Sequence, residues 1–186
     1  DFPTGNDGAF IDVAGTMSAS QFSSGITIDT YAALPQDLDD SHVWDRIFDF
    51  GDANDGEWAD GRSNLLLSRS GNTNDLIFQI YSGAVLDDDC VAPNALDGTL
   101  KRYTLRLDGS SCQIWVDETR VTNDTSMTAL PPGAAEWDNL YVGRSNWIAD
   151  TWQEGEIRSL RIFSSALTPA EIDAYNAGDL TYTTVN

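Results

Sequence analysis

Positive charge is what this sequence has least of: 10 Lys and Arg stand against 30 Asp and Glu, a net charge of -20 over 186 residues. A surface with that balance repels phosphate backbones and anionic membrane faces, which excludes nucleic acid as an expected partner. Histidine occurs once, at His42, and cysteine twice, at Cys90 and Cys112. Two distant cysteines and no histidine cluster cannot build a zinc site of the usual spacing. One disulfide between Cys90 and Cys112 is the economical reading, and it points to an oxidising, extracellular or cell-surface setting. No apolar run approaches the roughly 20 residues a membrane-spanning helix needs, so we expect no membrane insertion. The chain opens at Asp1 with neither an initiator Met nor a signal peptide. We therefore expect a processed or excised piece of a longer protein, one module with neighbours, folded as a single domain over residues 1–186.

Helical patterning is equally scarce. Short runs rich in β-branched and aromatic residues recur instead between Gly, Asn and Asp clusters: AFIDVAG, GITIDTYAAL, VWDRIFDFG, NLLLSRS, DLIFQIYSG, KRYTLRLDG, CQIWVDETRV, NLYVGRS and EIRSLRIF. That spacing predicts an antiparallel β-sandwich and not strand–helix alternation. Among the acids Asp far outnumbers Glu, and Asp favours turns and caps where Glu favours helix, which fits the same class. In YTLRLDGSSCQIWVDE, Asp108 and Gly109 open a hairpin turn. The one confident helix is LTPAEIDAYNAGD, with Thr168 as N-cap, Pro169 at the first helical position, Glu171 closing a capping box and Gly178 as the stop.

Three blocks in order, WDRIFDFG, YTLRLDGSSCQIWVDETRV and LYVGRSNWIADTWQEGEIRSLRIFSSALTPAEI, resemble the laminin G-like branch of the concanavalin A-like lectin/glucanase superfamily. The last block carries most of the likeness, through Leu140 to Ser145, Gly155, Ile157, Arg161 to Phe163, Ala166, Leu167, Glu171 and Ile172. The chain departs from the family pattern at Arg158 and Ser159, where an acidic pair is usual, and in the second block at Glu118, where a glycine often closes the hairpin. The resemblance implies a jelly-roll sandwich of two curved antiparallel sheets, used for recognition in secreted or surface proteins and often holding calcium near one rim. Function varies widely on such a fold, so it has to be argued from sites.

Catalytic chemistry finds little support. A retaining glycosidase sets two carboxylates about 5 Å apart, and the nearest imitation of the required strand, Glu154 and Glu156 in QEGEIRS, lacks the central Asp. His42 has no nucleophile elbow to serve. The acidic stretch FDFGDANDGEWADG, with five carboxylates in fourteen residues, offers Asp52, Asn54, Asp55 and Asp60 as calcium ligands around a turn at Gly56. The same loop also reads as a hydrated hairpin whose Asp and Asn side chains bond their own backbone. A second acidic patch, Leu86 to Cys90, lies beside the expected disulfide. Along VWDRIFDF, strict alternation puts Trp44, Arg46, Phe48 and Phe50 on one face, so that Arg46 sits among aromatic rings and needs a carboxylate partner or a ligand oxygen. For sugar binding, Trp58 and Trp147 are the candidate stacking surfaces, with Asn146 and Asp150 beside Trp147 to bond hydroxyls. The expectation is a non-catalytic recognition module for a glycan or surface glycoconjugate, of adhesin type. A protein-binding or spacer module is the first alternative, and a glycoside hydrolase or polysaccharide lyase the second.

Overall fold

The computed structural model describes residues 11–12, 25–36, 43–51, 63–82, 85–109, 111–128, 139–147, 150 and 155–178. They form eleven strands and one helix: β1 (Ile11–Asp12), β2 (Ile26–Ala33), β3 (Arg46–Gly51), β4 (Leu65–Arg69), β5 (Leu76–Ser82), β6 (Val85–Ala92), β7 (Lys101–Leu107), β8 (Cys112–Val116), β9 (Thr119–Asp124), β10 (Asn139–Val142), β11 (Glu156–Phe163) and α1 (Pro169–Asn176). The strands make two sheets, ordered β1-β10-β3-β4-β5-β6 and β11-β2-β7-β8-β9. Within the described residues every pairing is antiparallel. This is the jelly-roll sandwich expected.

Alternation explains what lies between the sheets. Phe48 and Phe50 of β3, Leu65 and Leu67 of β4 and Leu76, Phe78 and Ile80 of β5 face Ile26 and Ile28 of β2, Tyr103, Leu105 and Leu107 of β7 and Ile114 of β8. Every one of them is buried, and the Phe48 and Phe50 rings stack at 4.7 Å. Side chains that alternate into the space between two sheets leave water together, which is the main driving force of the fold.

Cys90 on β6 and Cys112 on β8 form the expected disulfide, with Cα atoms 6.2 Å apart. It ties the edge strand of one sheet to the other sheet through the core. The strand β6 itself was not foreseen. Its sequence VLDDDCVA is too rich in Asp to read as a strand by propensity. Charge on a sheet edge nonetheless blunts pairing with other chains, so such a strand is tolerated where a central one is not. The run CQIWVDETRV breaks into β8 and β9 at a two-residue turn, where Asp117 takes a φ of +54°.

The helix forms as its sequence predicts. Thr168 caps it, Glu171 completes the capping box, and Pro169 opens it. Gly178, at φ +83°, follows its end and donates to Tyr175 O at 3.1 Å. Its single buried residue, Ile172, packs with Leu167 onto Trp115, on the face of the five-stranded sheet turned away from the core. The Trp115 indole N–H donates to Asp173 at 3.2 Å.

Candidate ligand-binding site

On the six-stranded sheet, the face turned away from the core can be followed through the register. Asp49 on β3 stands opposite Tyr141 on β10 and Leu66 on β4, Leu66 opposite Gln79 on β5, and Gln79 opposite Asp89 on β6. Arg46 joins this face only because the β3–β4 register shifts between Arg46 and Phe48. An extra residue in a strand turns what precedes it to the other side. The expectation that Arg46 shares a face with Phe48 and Phe50 is thereby corrected: Ile47 is the added residue, and Arg46 and Asp49 point the same way.

Asp49 is fully buried, and its carboxylate is bonded from all sides. Arg46 Nε donates to Oδ2 at 3.3 Å, Asn64 Nδ2 to Oδ1 at 2.6 Å, and Asn146 through its backbone N to Oδ2 and its Nδ2 to Oδ1, both at 2.9 Å. A buried carboxylate survives only with this kind of saturation. The turn that supplies Asn146 is tied to the same cluster. Trp147 N donates to Ser145 Oγ at 2.9 Å, Ser145 Oγ donates to Asp150 Oδ2 at 3.0 Å, and Asp150 N donates to Trp147 O at 3.1 Å.

Arg46 is the hub. Its Nη2 donates to Asp150 Oδ2 and its Nη1 to Trp44 O. Its guanidinium carbon lies 5.5 Å from the Trp147 ring and 6.0 Å from the Trp44 ring, within reach of cation–π attraction. The aromatic surroundings and carboxylate partner expected of Arg46 are both present. Tyr81 completes the wall, its ring 5.2 Å from that of Trp147 at an interplanar angle of 60°. Burial raises the Tyr81 phenol above its ordinary pKa, against the pull of the Arg46 charge, so its O–H stays a donor at physiological pH. Burial also raises Asp150, which Arg46 and the Ser145 hydrogen bond oppose.

These groups enclose a cavity of about 160 Å³ lined by Trp44, Arg46, Gln79, Tyr81, Trp147 and Asp150. Three aromatic rings and four polar tips suit the stacking of a flat, hydroxylated ring with hydrogen bonds at its edge. Among the described residues Asp150 is the one carboxylate on the lining, and Asp49 beneath it is engaged by its own partners. A second cavity, of about 340 Å³, lies on the other sheet beside the end of α1 and is lined by Tyr31, Arg102, Asp117, Glu118, Thr119 and Asn176. It presents one aromatic residue, and its Arg102 is engaged by buried Asp29 at 2.6 Å and by the Tyr175 ring at 4.3 Å.

Of the residues singled out in the sequence, Trp147 and Asp150 meet at the first cavity. Asn146 stands beside it but turns its carboxamide onto Asp49. Trp58, Asp52, Asn54, Asp55 and Asp60 lie outside the described residues. They fall between Gly51, the last residue of β3, and Asn64, whose backbone pairs with that of Tyr81 in both directions, at 2.8 and 3.0 Å. The patch around Asp88 belongs to β6, where Asp88 accepts from Thr128 N at 2.6 Å; among the described residues no three acids, cysteines or histidines converge as metal ligands. Trp44, Gln79 and Tyr81 were missed. Gln79 and Tyr81 alternate with Phe78 and Ile80, a signal present in DLIFQIYSG. Trp44 carries none, since its φ of +61°, rarely adopted by a bulky side chain, appears only in the folded chain.

A family profile described as the concanavalin A-like lectin/glucanases superfamily matches residues 4–173. No curated protein matches the sequence. Among solved structures, the NanB sialidase from Streptococcus pneumoniae aligns with a TM-score of 0.69 at 15% identity, over 89% of this chain and 26% of that one. The CBM40 of the Ruminococcus gnavus IT-sialidase, bound to α2,3-sialyllactose, aligns with a TM-score of 0.63 at 12% identity, over 84% of this chain and 85% of that one. The binding domain of botulinum neurotoxin DC, in complex with rat synaptotagmin II, gives a TM-score of 0.63 at 12% identity, over 96% of this chain and 42% of that one. The chain thus spans about a quarter of the NanB sialidase chain. At such identities these likenesses speak for the fold alone.

Proposed function

Given that the chain belongs to the concanavalin A-like lectin/glucanases superfamily, we propose that it is a non-catalytic recognition module that binds carbohydrate at the Trp44–Trp147 cavity, as part of a secreted or cell-surface protein. One observation carries this reading. The bulge in β3 and the turn at residues 145–147 place indole, phenol, guanidinium, carboxamide and carboxylate groups around one opening. A pyranose offers an apolar C–H face for the rings and hydroxyls for the polar tips. The disulfide is consistent with the extracellular setting, and binding modules with similar folds include one bound to sialyllactose. Calcium at Asp52, Asn54, Asp55 and Asp60 belongs to the same proposal: oxygen-rich side chains at that spacing suit a hard cation, held shortly before Asn64, the backbone partner of Tyr81.

Screening the purified protein on a glycan array and by affinity electrophoresis tests the reading. Retention by at least one glycan class is expected, weakened about tenfold or more by Trp147→Ala while the thermal unfolding profile stays cooperative. The complex of the neurotoxin binding domain with synaptotagmin II motivates a second reading, a protein-binding module. Silence across the glycans together with saturable binding to a protein from the same surface would favour it.

A further inference from the structure

We propose that the cavity selects uncharged, hydroxyl-rich sugars and rejects sugars that carry a carboxylate, and that Asp150 imposes this choice. The inference rests on the reading of the cavity as a glycan site and goes beyond it by naming the ligand class.

The charge count at the opening comes first. Among the described residues Arg46 is the one cation on the lining, and two carboxylates already face it, Asp150 on the lining and Asp49 beneath. The sum over these described groups is negative, in a chain whose net charge is -20. A sugar acid arriving at Arg46 meets the Asp150 carboxylate, whose side chain is only 16% exposed and so poorly screened by water. Like charges in such a place disfavour each other strongly.

Geometry closes the remaining route. Arg recognises a carboxylate through two parallel N–H groups, one fork of its guanidinium. Here Nε is given to Asp49, Nη1 to Trp44 O and Nη2 to Asp150, so neither fork of the guanidinium has both of its nitrogens unengaged. An anionic ligand would have to displace Asp150 from Arg46 and leave that carboxylate without its cation. Asp150 is also held by Ser145 Oγ and by its own backbone bond to Trp147 O, so it does not swing away freely.

A neutral sugar meets none of these obstacles. Its hydroxyls donate to the Asp150 carboxylate and exchange hydrogen bonds with Gln79 and Tyr81, and its C–H face covers Trp147 or Trp44. Arg46 then serves as a fixed support for the rings and for Asp150, not as an anion clamp. The sialyllactose held by the Ruminococcus gnavus CBM40 is thus the kind of ligand this opening is built to refuse.

The test compares the intact protein at pH 7.5 on matched pairs by isothermal titration: neutral lactose and gluco-, galacto- and manno-oligosaccharides against 3′- and 6′-sialyllactose and uronic-acid oligomers. The expected result is neutral sugars bound at least about tenfold more tightly than their acidic counterparts, with the gap widening at low salt. Asp150→Asn should weaken the neutral ligand and strengthen the acidic one; if that variant does not fold, the wild-type comparison decides alone. Trp147-dependent binding of an acidic sugar as tightly as a neutral one would overturn the inference while leaving the glycan reading intact. Failure of every sugar to bind would remove both.

Discussion

Arg46 Nε and Asp49 Oδ2 lie 3.3 Å apart on one strand although they stand three positions apart in sequence, a spacing that regular alternation assigns to opposite faces. The bulge between Arg46 and Phe48 makes the pair possible. The pair in turn fixes the turn that carries Trp147, because Asn146 docks on the same carboxylate. Removing Asp49 leaves a buried guanidinium and two carboxamides short of an acceptor. Asp49→Ala should therefore cost about 3–5 kcal/mol of stability, read as a lower urea midpoint, and Asp49→Asn less. A loss below about 1 kcal/mol would mean that the cluster is not what holds this face together.

The disulfide is the most separable stabilising element. Cys90 and Cys112 are 22 residues apart in sequence, and closing a loop of that length restricts the unfolded chain by about 3 kcal/mol. Reduction, or replacement of both cysteines by Ala, should lower the Tm by about 6–12 °C for a domain of this size. Scanning calorimetry with and without reductant measures it; unchanged melting would show that the sandwich closes without its bridge.

Acid should weaken the fold through Asp97. The ammonium of Lys101, together with Thr99, holds its carboxylate down at about 2. A folded-state value below the unfolded one means that the contribution is complete above the unfolded pKa and is lost as pH falls from about 4 towards 2. Asp97→Asn should remove this part of the acid limb, with curves for variant and wild type converging near pH 2. Parallel curves over that range would deny Asp97 the role.

Calcium is testable without any ligand. An ion bound to the folded chain alone raises its Tm by mass action. Millimolar calcium should raise the Tm over a chelated sample, and Asp52→Asn with Asp55→Asn should abolish the difference. Identical melting in calcium and in chelator would dismiss the site.

Much of the sandwich was readable because its signals are local. Alternation in TLRL or LIFQIY depends on the residues themselves, and the Thr168 cap lies within four residues of the groups it serves. β6 was hidden because an edge strand needs no apolar alternation to persist once Cys90 is bridged to the opposite sheet. At the site, Trp147 and Asp150 drew notice by composition, whereas Trp44 and Tyr81 needed partners more than sixty residues away in sequence to acquire a role.

Composition and short-range pattern were enough to set the class: an acidic β-sandwich with a capped helix and a disulfide. Which face bears a cavity, and with what charge, was decided only when the chain closed. A single added residue in β3 reversed Arg46, and Asp49, Asn146 and Asp150 then met around it across about a hundred positions of sequence. Side-chain direction in a strand repeats every two residues, so one irregularity that no propensity reports is sufficient to move a cation from the core to the outer face of the sheet.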